Sequence, residues 1–394
     1  MQPVMSQQDS NRQVHWLGAG LSSVPGIRRL AQGQLSLHLW NRTLEKAEQA
    51  LADLDSNAAV HSLDMQELAA QIQHGDIVVS MLPGDWHCRI AELCLEKNAH
   101  FVSSSYISPE MRALDESAKQ RGLCLVNEVG LDPGLDHLMA HALVHQYRCS
   151  AEYSPGNQLY FRSYCGGFPS QANDFRYKFS WSPLGVLRAL KTPSRSIRDG
   201  EVRDVARPWQ AISDYQARLP GGHTETFEAY PNRDALPFMQ DYQFQADWSV
   251  QEFVRGTLRL DGWAQAWQDI FSTIESLDTD NETKVLQEMS KDLWQRYAYA
   301  KDEADRVVLC VELEACREDR CAWHRSYSID ALGNDRGSAM ARLVSLTVSL
   351  AVDSLARGEI NAGVSAAPSD PALVQQWFST LENLGERIEL IVSK

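Results

Sequence analysis

Short apolar runs alternate with amphipathic stretches through the first third of the chain. The runs read as strands at residues 13–17, 35–40, 60–61, 76–81, 100–104 and 123–127. Apolar residues at helical spacing occupy the intervals, at residues 25–32, 43–54, 64–73, 86–98 and 109–121. Regular alternation of buried strands with helices is typical of a parallel, doubly wound sheet. We therefore predict an N-terminal α/β domain of the Rossmann type.

Beyond residue 137 the pattern changes to longer strands without helices between them. Strands are predicted at residues 158–164, 177–181, 224–230, 252–260, 307–316 and 321–329, with a turn at Gly166–Gly167. Amphipathic helices are predicted at residues 338–357 and 371–384. These patterns indicate a second α/β domain whose sheet is mainly antiparallel.

The predicted domains follow from these boundaries. The first comprises residues 1–135, and the segment from about 358 to 394 packs back on it. The second comprises residues 136–261 and 306–357, and the polar helical segment 262–305 is a small insertion within it.

The amino-acid composition limits the kinds of molecule that the protein is expected to bind. The chain has 394 residues, 44% of them hydrophobic, and a net charge of −15. This charge argues against binding to nucleic acid or to an anionic membrane surface, so a small-molecule substrate is expected. The polar N-terminus and the absence of an uninterrupted apolar run of 18 residues predict a cytoplasmic protein without a membrane span.

The cysteines indicate a reducing compartment. Eight are present and none forms a Cys-x-x-Cys pair, which favours free thiols. A metal site is conceivable at Cys310, Cys316, Cys321 and His324, but zinc ligands usually pair about two to four residues apart. No metal is therefore predicted.

The first predicted strand ends in a glycine turn that is typical of dinucleotide binding. The turn is a Gly-x-Gly-x-x-small motif. Its first glycine permits a tight turn, and its second lets the backbone approach a pyrophosphate at the helix N-terminus. The alternative is an ordinary glycine turn. The residues concerned are Gly18, Gly20, Leu21, Ser22 and Ser23.

The end of the second strand predicts which dinucleotide binds. A carboxylate there would bind the ribose 2′-hydroxyl of NAD, but this chain has Asn41-Arg42-Thr43. Arg42 can bind a 2′-phosphate, so NADP(H) is favoured, although Arg42 could also be a solvated first-turn residue. Leu82 and Pro83 follow the fourth strand and either flank the cofactor or form a simple turn.

Six polar, glycine-containing clusters follow one another along the chain. They lie at residues 103–109, 130–137, 163–167, 177–183, 230–234 and 255–259. In this order they resemble the saccharopine reductase family, the glutamate-forming saccharopine dehydrogenases, from Gly18 to about residue 365. The resemblance implies a Rossmann domain, an α/β substrate domain, a helical insertion and NADP(H). It also implies interconversion of saccharopine with glutamate and 2-aminoadipate 6-semialdehyde in lysine metabolism.

The chemistry of this substrate points to arginine residues. Saccharopine carries three carboxylates, and on an anionic chain these need local cations. Arg233 is the favoured carboxylate ligand, ahead of Arg255 and Arg259, because arginine can grip a carboxylate with two parallel hydrogen bonds. For each arginine the alternative is a surface ion pair.

The resemblance also implies polar contacts to the substrate at Ser105, Tyr106, Asp132, Cys165 and Thr257. Tyr106 offers a hydroxyl, and Asp132 could hold the substrate amine or relay a proton. Hydride transfer to an imine needs no covalent intermediate, so Cys165 is interpreted as a contact residue. It could equally be a small buried thiol.

Two positions depart from the family pattern. Phe175-Arg176 stands where the family has a Leu-Gly pair, and Leu184 stands where it usually has a basic residue. Another carboxylated secondary amine, of the carboxyspermidine type, therefore remains an alternative substrate. A non-catalytic NADP-binding protein is a second alternative. A homodimer is also left open, because long amphipathic helices are more often core than interface.

Overall fold

A computed structural model describes residues 12–277, 282–318 and 320–393 of the chain. The chain forms two compact units. The first runs up to Leu138 and includes Ala341–Leu381, and the second comprises Met139–Met340 and the residues from Glu382 onward.

The described residues contain sixteen strands. They are β1 (Gln13–Leu17), β2 (Ser36–Asn41), β3 (Ala59–Ser62), β4 (Ile77–Ser80), β5 (His100–Ser103), β6 (Cys124–Val126), β7 (Gln158–Pro169), β8 (Ser194–Arg198), β9 (Glu201–Val205), β10 (Ser213–Arg218), β11 (Thr224–Pro231), β12 (Ser249–Arg259), β13 (Asp305–Arg317), β14 (Arg320–Leu332), β15 (Gly363–Ser365) and β16 (Glu389–Val392).

Fourteen α-helices lie in the same ranges of the chain. They are α1 (Val24–Ala31), α2 (Leu44–Leu51), α3 (Met65–Gln71), α4 (His87–Lys97), α5 (Pro109–Arg112), α6 (Asp115–Arg121), α7 (Leu135–Arg148), α8 (Pro183–Lys191), α9 (Pro237–Asp241), α10 (Trp263–Ala266), α11 (Gln268–Glu275), α12 (Glu282–Tyr297), α13 (Ala339–Ala356) and α14 (Pro371–Asn383).

The first unit is built on a seven-stranded sheet with the order β15-β6-β5-β4-β1-β2-β3. Every neighbouring pair in it is parallel. All four residues of β4 are buried, as expected for a strand covered on both faces. The predicted doubly wound parallel sheet is confirmed. In any such sheet the carboxyl ends of the strands carry the ligand site.

Two details of this unit differ from the predictions. The helix predicted over residues 109–121 is two helices, α5 and α6. At the start of α6 the Asp115 carboxylate accepts a hydrogen bond from Val364 N (2.8 Å). Val364 lies in β15, which pairs with β6 and was not predicted. A strand of three residues is too short to show a periodic pattern.

Helix α13 is buried on nearly all sides, so the prediction of an amphipathic helix is wrong. Its hydroxyl side chains hydrogen-bond within the helix, as Ser345 does to Ala341 O and Thr347 to Leu343 O (both 2.6 Å). This satisfies polar groups that burial would otherwise leave unpaired. By length and composition α13 could cross a membrane, but 78% of it is buried inside the fold.

Helices α1 and α13 pack closely through a glycine. Gly26 N donates to the Ser345 hydroxyl (2.8 Å). A Cβ at position 26 would lie 2.3 Å from Ser345 O. Because of this packing α13 belongs with the first unit from Ala341 onward, whereas the sequence pattern placed residues 338–357 in the second domain.

The second unit is built on a nine-stranded sheet whose main path is β10-β11-β12-β7-β13-β14-β16, with β8 paired to β12 and β9 paired to β8. Along the main path only β12 and β7 are parallel. The sheet curls, since Arg218 of β10 donates to the Ser393 hydroxyl just after β16. Gly221 N likewise donates to the Glu389 carboxylate of β16 (3.2 Å). Residues after 381, predicted to pack on the first domain, thus close the second sheet.

One turn prediction and one strand prediction in this unit are wrong. Gly166 and Gly167 continue β7 instead of turning. Gly166 serves close packing there, since a Cβ at this position would lie 2.6 Å from Leu258 O of the neighbouring strand. Residues 177–181 form only an isolated bridge at Phe179. The rings of Tyr177 and Phe179 pack instead into an apolar cluster with Trp263 and Trp267.

Phe175 and Leu184, which depart from the family pattern, both pack in this aromatic cluster. The Phe175 ring stacks on Tyr297 (centroids 3.9 Å apart) and on Trp267 (4.7 Å). Leu184 packs against the same cluster. Helices α10, α11 and α12 pack in this cluster together with α8 and Tyr230, so the predicted helical segment shares its core with neighbouring elements of the second unit.

Candidate functional site

The glycine turn after β1 is shaped for close approach of a ligand. Gly18 has φ +101°, and a Cβ there would lie 3.1 Å from Met81 O. A Cβ at Gly20 would meet no atom within 4 Å, so the backbone there faces open space. Ser23 is buried as the N-cap residue of α1. Leu21 is exposed and Ser22 half-buried.

Asn41 ties this turn to the end of β2. Its side-chain oxygen accepts from Ala19 N (3.1 Å), and its amide donates to Thr43 O (2.7 Å). Thr43 is the N-cap residue of α2, but its side chain makes no capping bond. Arg42 is exposed between them. The two predicted cofactor segments are therefore connected by one side chain.

These residues fit a dinucleotide carrying a 2′-phosphate. The open backbone at Gly20 leaves room for a pyrophosphate at the start of α1. Arg42 follows the strand whose end binds the adenosine ribose in this fold, and residues 40–44 contain no carboxylate that would repel a phosphate. Leu82 lies against the turn, its Cδ2 3.3 Å from the Cβ position of Gly18, whereas Pro83 is exposed.

A buried histidine joins the carboxyl ends of β4 and β5. His87, the first residue of α4, contacts the Ser80 hydroxyl through Nδ1 (3.0 Å) and the Ser105 hydroxyl through Nε2 (2.8 Å). Burial lowers the pKa of His87 to about 4, so the ring is neutral near pH 7. No local pattern indicates this role, because a lone histidine at the start of a helix has no distinctive sequence signature.

Tyr106 and Asp132 come together in the first unit. The Tyr106 hydroxyl donates to Asp132 Oδ1 (3.2 Å), although the two residues lie on different segments after β5 and β6. Both follow carboxyl ends of strands in the parallel sheet. The resemblance implied both as substrate contacts, and the structure brings them into direct contact.

In the second unit the candidate residues form a row across three strands. Tyr230 of β11 is the register partner of Thr257 in β12, and Thr257 is the register partner of Cys165 in β7. Register partners project to the same face of a sheet. Cys165 and Tyr230 are buried. Thr257 and Cys165, both predicted as substrate contacts, are thus neighbours.

Arg259 lies beside this row and is buried. Its guanidinium carbon is 5.0 Å from the ring centroid of Tyr177, 5.5 Å from that of Tyr230 and 5.2 Å from that of Trp263. Burial raises the pKa of Tyr230, and the nearby positive charge of Arg259 partly opposes this rise. Arg259 also donates to Leu258 O (3.1 Å).

No carboxylate among the described residues pairs with Arg259. Its Nε atom has no hydrogen-bond partner within those ranges, and neither has Nε1 of Trp263. Buried cations are normally paired, and an unsatisfied buried donor is costly. This arrangement therefore suits an acceptor that is not part of the described chain, such as a ligand carboxylate.

The other two candidate arginines differ in exposure. Arg255 is 4% exposed, and its guanidinium carbon lies 3.9 Å from the centroid of the Phe238 ring. Arg233, the favoured residue from the sequence, is exposed and has a left-handed backbone with φ +60°. The order of preference among the three arginines rested on the motifs that contain them, and a motif does not show whether a side chain is buried.

The cysteines proposed and rejected as metal ligands lie on the β13–β14 hairpin. Cys316 and Cys321 are register partners, and Cys310 is buried in the apolar face of the sheet. Over residues 12–277, 282–318 and 320–393 no group of three or more histidine, cysteine or acidic residues is arranged to hold a metal ion.

Comparison with known proteins assigns family models to both parts of the chain. The model described as "Saccharopine dehydrogenase NADP binding domain" matches residues 14–126, and "Saccharopine dehydrogenase C-terminal domain" matches residues 130–386. Together they span the parallel sheet and most of the second unit.

Individual relatives agree with the family models. The chain is 35% identical over 65% of its length to saccharopine dehydrogenase [NADP(+), L-glutamate-forming] of Pyricularia oryzae, covering 56% of that protein. It is 34% identical over 54% of its length to alpha-aminoadipic semialdehyde synthase of Arabidopsis thaliana, covering 20% of that protein. These alignments cover about half or less of the relatives' own length.

A solved structure shares the fold. Apo saccharopine dehydrogenase (L-Glu forming) from Saccharomyces cerevisiae superposes with a TM-score of 0.79 at 24% identity, covering 98% of this chain and 100% of that one.

Proposed function

The chain belongs to the saccharopine dehydrogenase family, and we propose that it is an NADP(H)-dependent saccharopine dehydrogenase of the L-glutamate-forming type. The reaction oxidises the secondary amine of saccharopine to an imine. Water then hydrolyses the imine to glutamate and 2-aminoadipate 6-semialdehyde, and the reverse direction reduces the imine. Either direction would serve lysine metabolism.

The first unit is an NADP-binding domain, and its residues can be given roles. Bound NADP supplies the hydride acceptor or donor. Backbone groups of the turn from Gly18 to Ser23 bind the pyrophosphate, with Asn41 holding the turn to β2. Arg42 binds the 2′-phosphate. These assignments rest on the open space at Gly20 and on the absence of a carboxylate after β2.

Tyr106 and Asp132 are proposed to act on the substrate nitrogen. A carboxylate that accepts a hydrogen bond from a tyrosine can still hold an ammonium group or accept its proton. Ser105, held by neutral His87, presents a hydroxyl whose direction is fixed. No side chain is required as a covalent nucleophile, which leaves Cys165 and Thr257 as binding residues.

The observation that carries the substrate assignment is Arg259. A guanidinium in an aromatic cage, buried and without a carboxylate partner among the described residues, is matched by a substrate that brings its own carboxylates. A polyamine-type substrate would instead favour unpaired acidic residues. Arg255, packed on Phe238, is a second buried arginine on β12 and a further candidate for a carboxylate.

The test is a spectrophotometric assay of NADPH formation with saccharopine and NADP⁺. Turnover with saccharopine, and in reverse with glutamate plus 2-aminoadipate 6-semialdehyde, is the expected result. Turnover only with a diamine and aspartate semialdehyde would replace this proposal by a carboxyspermidine-type activity. Binding of NADPH without turnover of either pair would identify a non-catalytic NADP-binding protein.

A further inference from the structure

Glu128 is a buried carboxylate next to the Tyr106–Asp132 pair, and neither the cofactor nor the substrate assignment uses it. It follows β6 and is 5% exposed. Its backbone lies in the left-handed region, with φ +54°. A non-glycine residue there is strained unless its surroundings hold it, so the contacts of Glu128 must stabilise this conformation.

Glu128 holds the chain on both sides of Tyr106. Its backbone N donates to Ser105 O (3.1 Å), and its Oε1 accepts from Ile107 N (2.8 Å). Ser105 and Ile107 are the two neighbours of Tyr106 in sequence. A single residue therefore fixes the peptide groups before and after the tyrosine.

The same carboxylate also reaches the segment that carries Asp132. Its Oε2 lies 2.9 Å from Nε2 of His137 in α7, and both side chains are buried. The adjacent Asp136 accepts from Gly134 N (2.7 Å), which anchors the turn that follows Asp132. Glu128 thus connects the two segments whose side chains meet at the Tyr106–Asp132 hydrogen bond.

We propose that Glu128 is a positioning residue that keeps the Tyr106 hydroxyl against Asp132 for action on the substrate nitrogen. This inference rests on the proposed function. Glu128 does not touch the reacting atoms and acts through Tyr106. Small displacements of a positioned group lower the rate even when the fold is intact.

The chain offers a matched control in Asp76. It is also a buried carboxylate of the first unit that accepts backbone N–H bonds, from Gln13 and Gln73, and lies 3.2 Å from a histidine Nε2, that of His15. It precedes β4, so it lies at the amino edge of the sheet, opposite the edge that binds ligands in such folds.

The experiment compares Glu128→Gln, Tyr106→Phe, their double variant and Asp76→Asn. Glu128→Gln is expected to lower kcat for saccharopine roughly tenfold, with KM and the Kd of NADPH within about twofold of wild type. In the Tyr106→Phe background it should lower kcat by less than about twofold, because both changes remove the same effect. Asp76→Asn should reduce Tm without changing kcat.

Three results would overturn the proposal. One is a double variant whose fold-loss in kcat equals the product of the fold-losses of the two single variants. Another is a kcat loss in Asp76→Asn as large as that in Glu128→Gln. The third is a crystal structure of Glu128→Gln in which the Tyr106 hydroxyl stays on Asp132.

The crystal structure also separates this inference from the proposed function. If wild-type protein does not oxidise saccharopine, the proposed function fails by itself. Displacement of the Tyr106 hydroxyl from Asp132 in the variant would then still support positioning by Glu128.

Discussion

Arg259 of β12 and Tyr230 of β11 lie together in the interior of the second unit, with the guanidinium carbon 5.5 Å from the centre of the tyrosine ring. The aromatic rings around Arg259 stabilise its charge partly by cation–π attraction. They provide no anion, so a carboxylate ligand would complete the site.

Replacing Arg259 should therefore separate binding from stability. We expect Arg259→Leu to raise the KM for saccharopine at least tenfold, on the order of 1.5–3 kcal/mol for a charge-assisted hydrogen bond. The Tm of the ligand-free protein should stay the same or rise, because the charge removed has no carboxylate partner among the described residues. Steady-state kinetics and thermal unfolding measure the two effects.

Arg306 provides the control for that substitution. Its guanidinium pairs with both Glu225 and Asp330 (2.7 Å each), so Arg306→Leu leaves these two carboxylates without their cation. This variant should lose about 3 kcal/mol of stability without a change in KM. An equal loss of Tm in the Arg259 and Arg306 variants would contradict the assignment of Arg259 to a ligand.

Cofactor choice should depend on Arg42. We expect Arg42→Asp to raise the KM for NADP⁺ about a hundredfold and to leave that for NAD⁺ little changed, since a carboxylate repels the 2′-phosphate but binds a ribose hydroxyl. Lys46→Ala removes an exposed cation four residues further along, in α2, and serves as the control. Comparable losses in the two variants would show only a general electrostatic attraction.

Alanine substitutions at two glycines of the first unit should have different effects, one on stability and the other on cofactor binding. Gly26→Ala places a Cβ 2.3 Å from Ser345 O, so it should lower stability by about 2–3 kcal/mol through forced separation of α1 and α13. Gly20→Ala meets no atom within 4 Å and should leave Tm unchanged, yet weaken NADPH binding about tenfold by occupying the pyrophosphate approach. Thermal unfolding and NADPH fluorescence titration measure both. Unchanged NADPH affinity in Gly20→Ala would remove the turn from the cofactor site.

Cys165 should be dispensable for the chemistry. Cys165→Ala is expected to keep kcat/KM for saccharopine within about tenfold of wild type, because the hydride transfer needs no thiol and the side chain contributes only contacts. Loss of activity by three orders of magnitude with normal saccharopine binding would instead identify a catalytic thiol.

Stability should fall as the pH decreases from about 6.5 towards 4. Burial lowers the pKa values of His87 and His100 from 6.5 to about 4 each. Within that window the unfolded state binds more protons, so each histidine contributes up to about 3 kcal/mol that is present above pH 6.5 and is lost as the pH falls. Protonation of His100 would also break the hydrogen bond that its Nδ1 accepts from Cys124 N (3.1 Å).

Urea unfolding at several pH values tests this dependence. His87→Gln should reduce the slope of stability against pH, whereas the same change at exposed His223 should leave it unaltered. An unchanged slope in His87→Gln would mean that His87 does not titrate in this window.

Sequence patterns predicted the fold best where a strand is buried on both faces. The strands of the parallel sheet are short continuous apolar runs, and the glycine turn after β1 has a fixed spacing, so both were recognisable locally. The pattern failed at Gly166–Gly167, where glycines serve close packing inside β7, and at residues 177–181, where aromatic residues pack without forming a strand.

The sequence by itself determined the order of strands and helices in the first unit, the dinucleotide turn and the absence of a carboxylate after β2, because each depends on residues close together along the chain. Only the tertiary structure decided that Arg259 is buried in an aromatic cage while Arg233 is exposed. It likewise decided that Glu128 hydrogen-bonds to the residues before and after Tyr106. These relations join residues that are distant in sequence, and no local pattern of apolar and polar positions records which polar side chains become buried together.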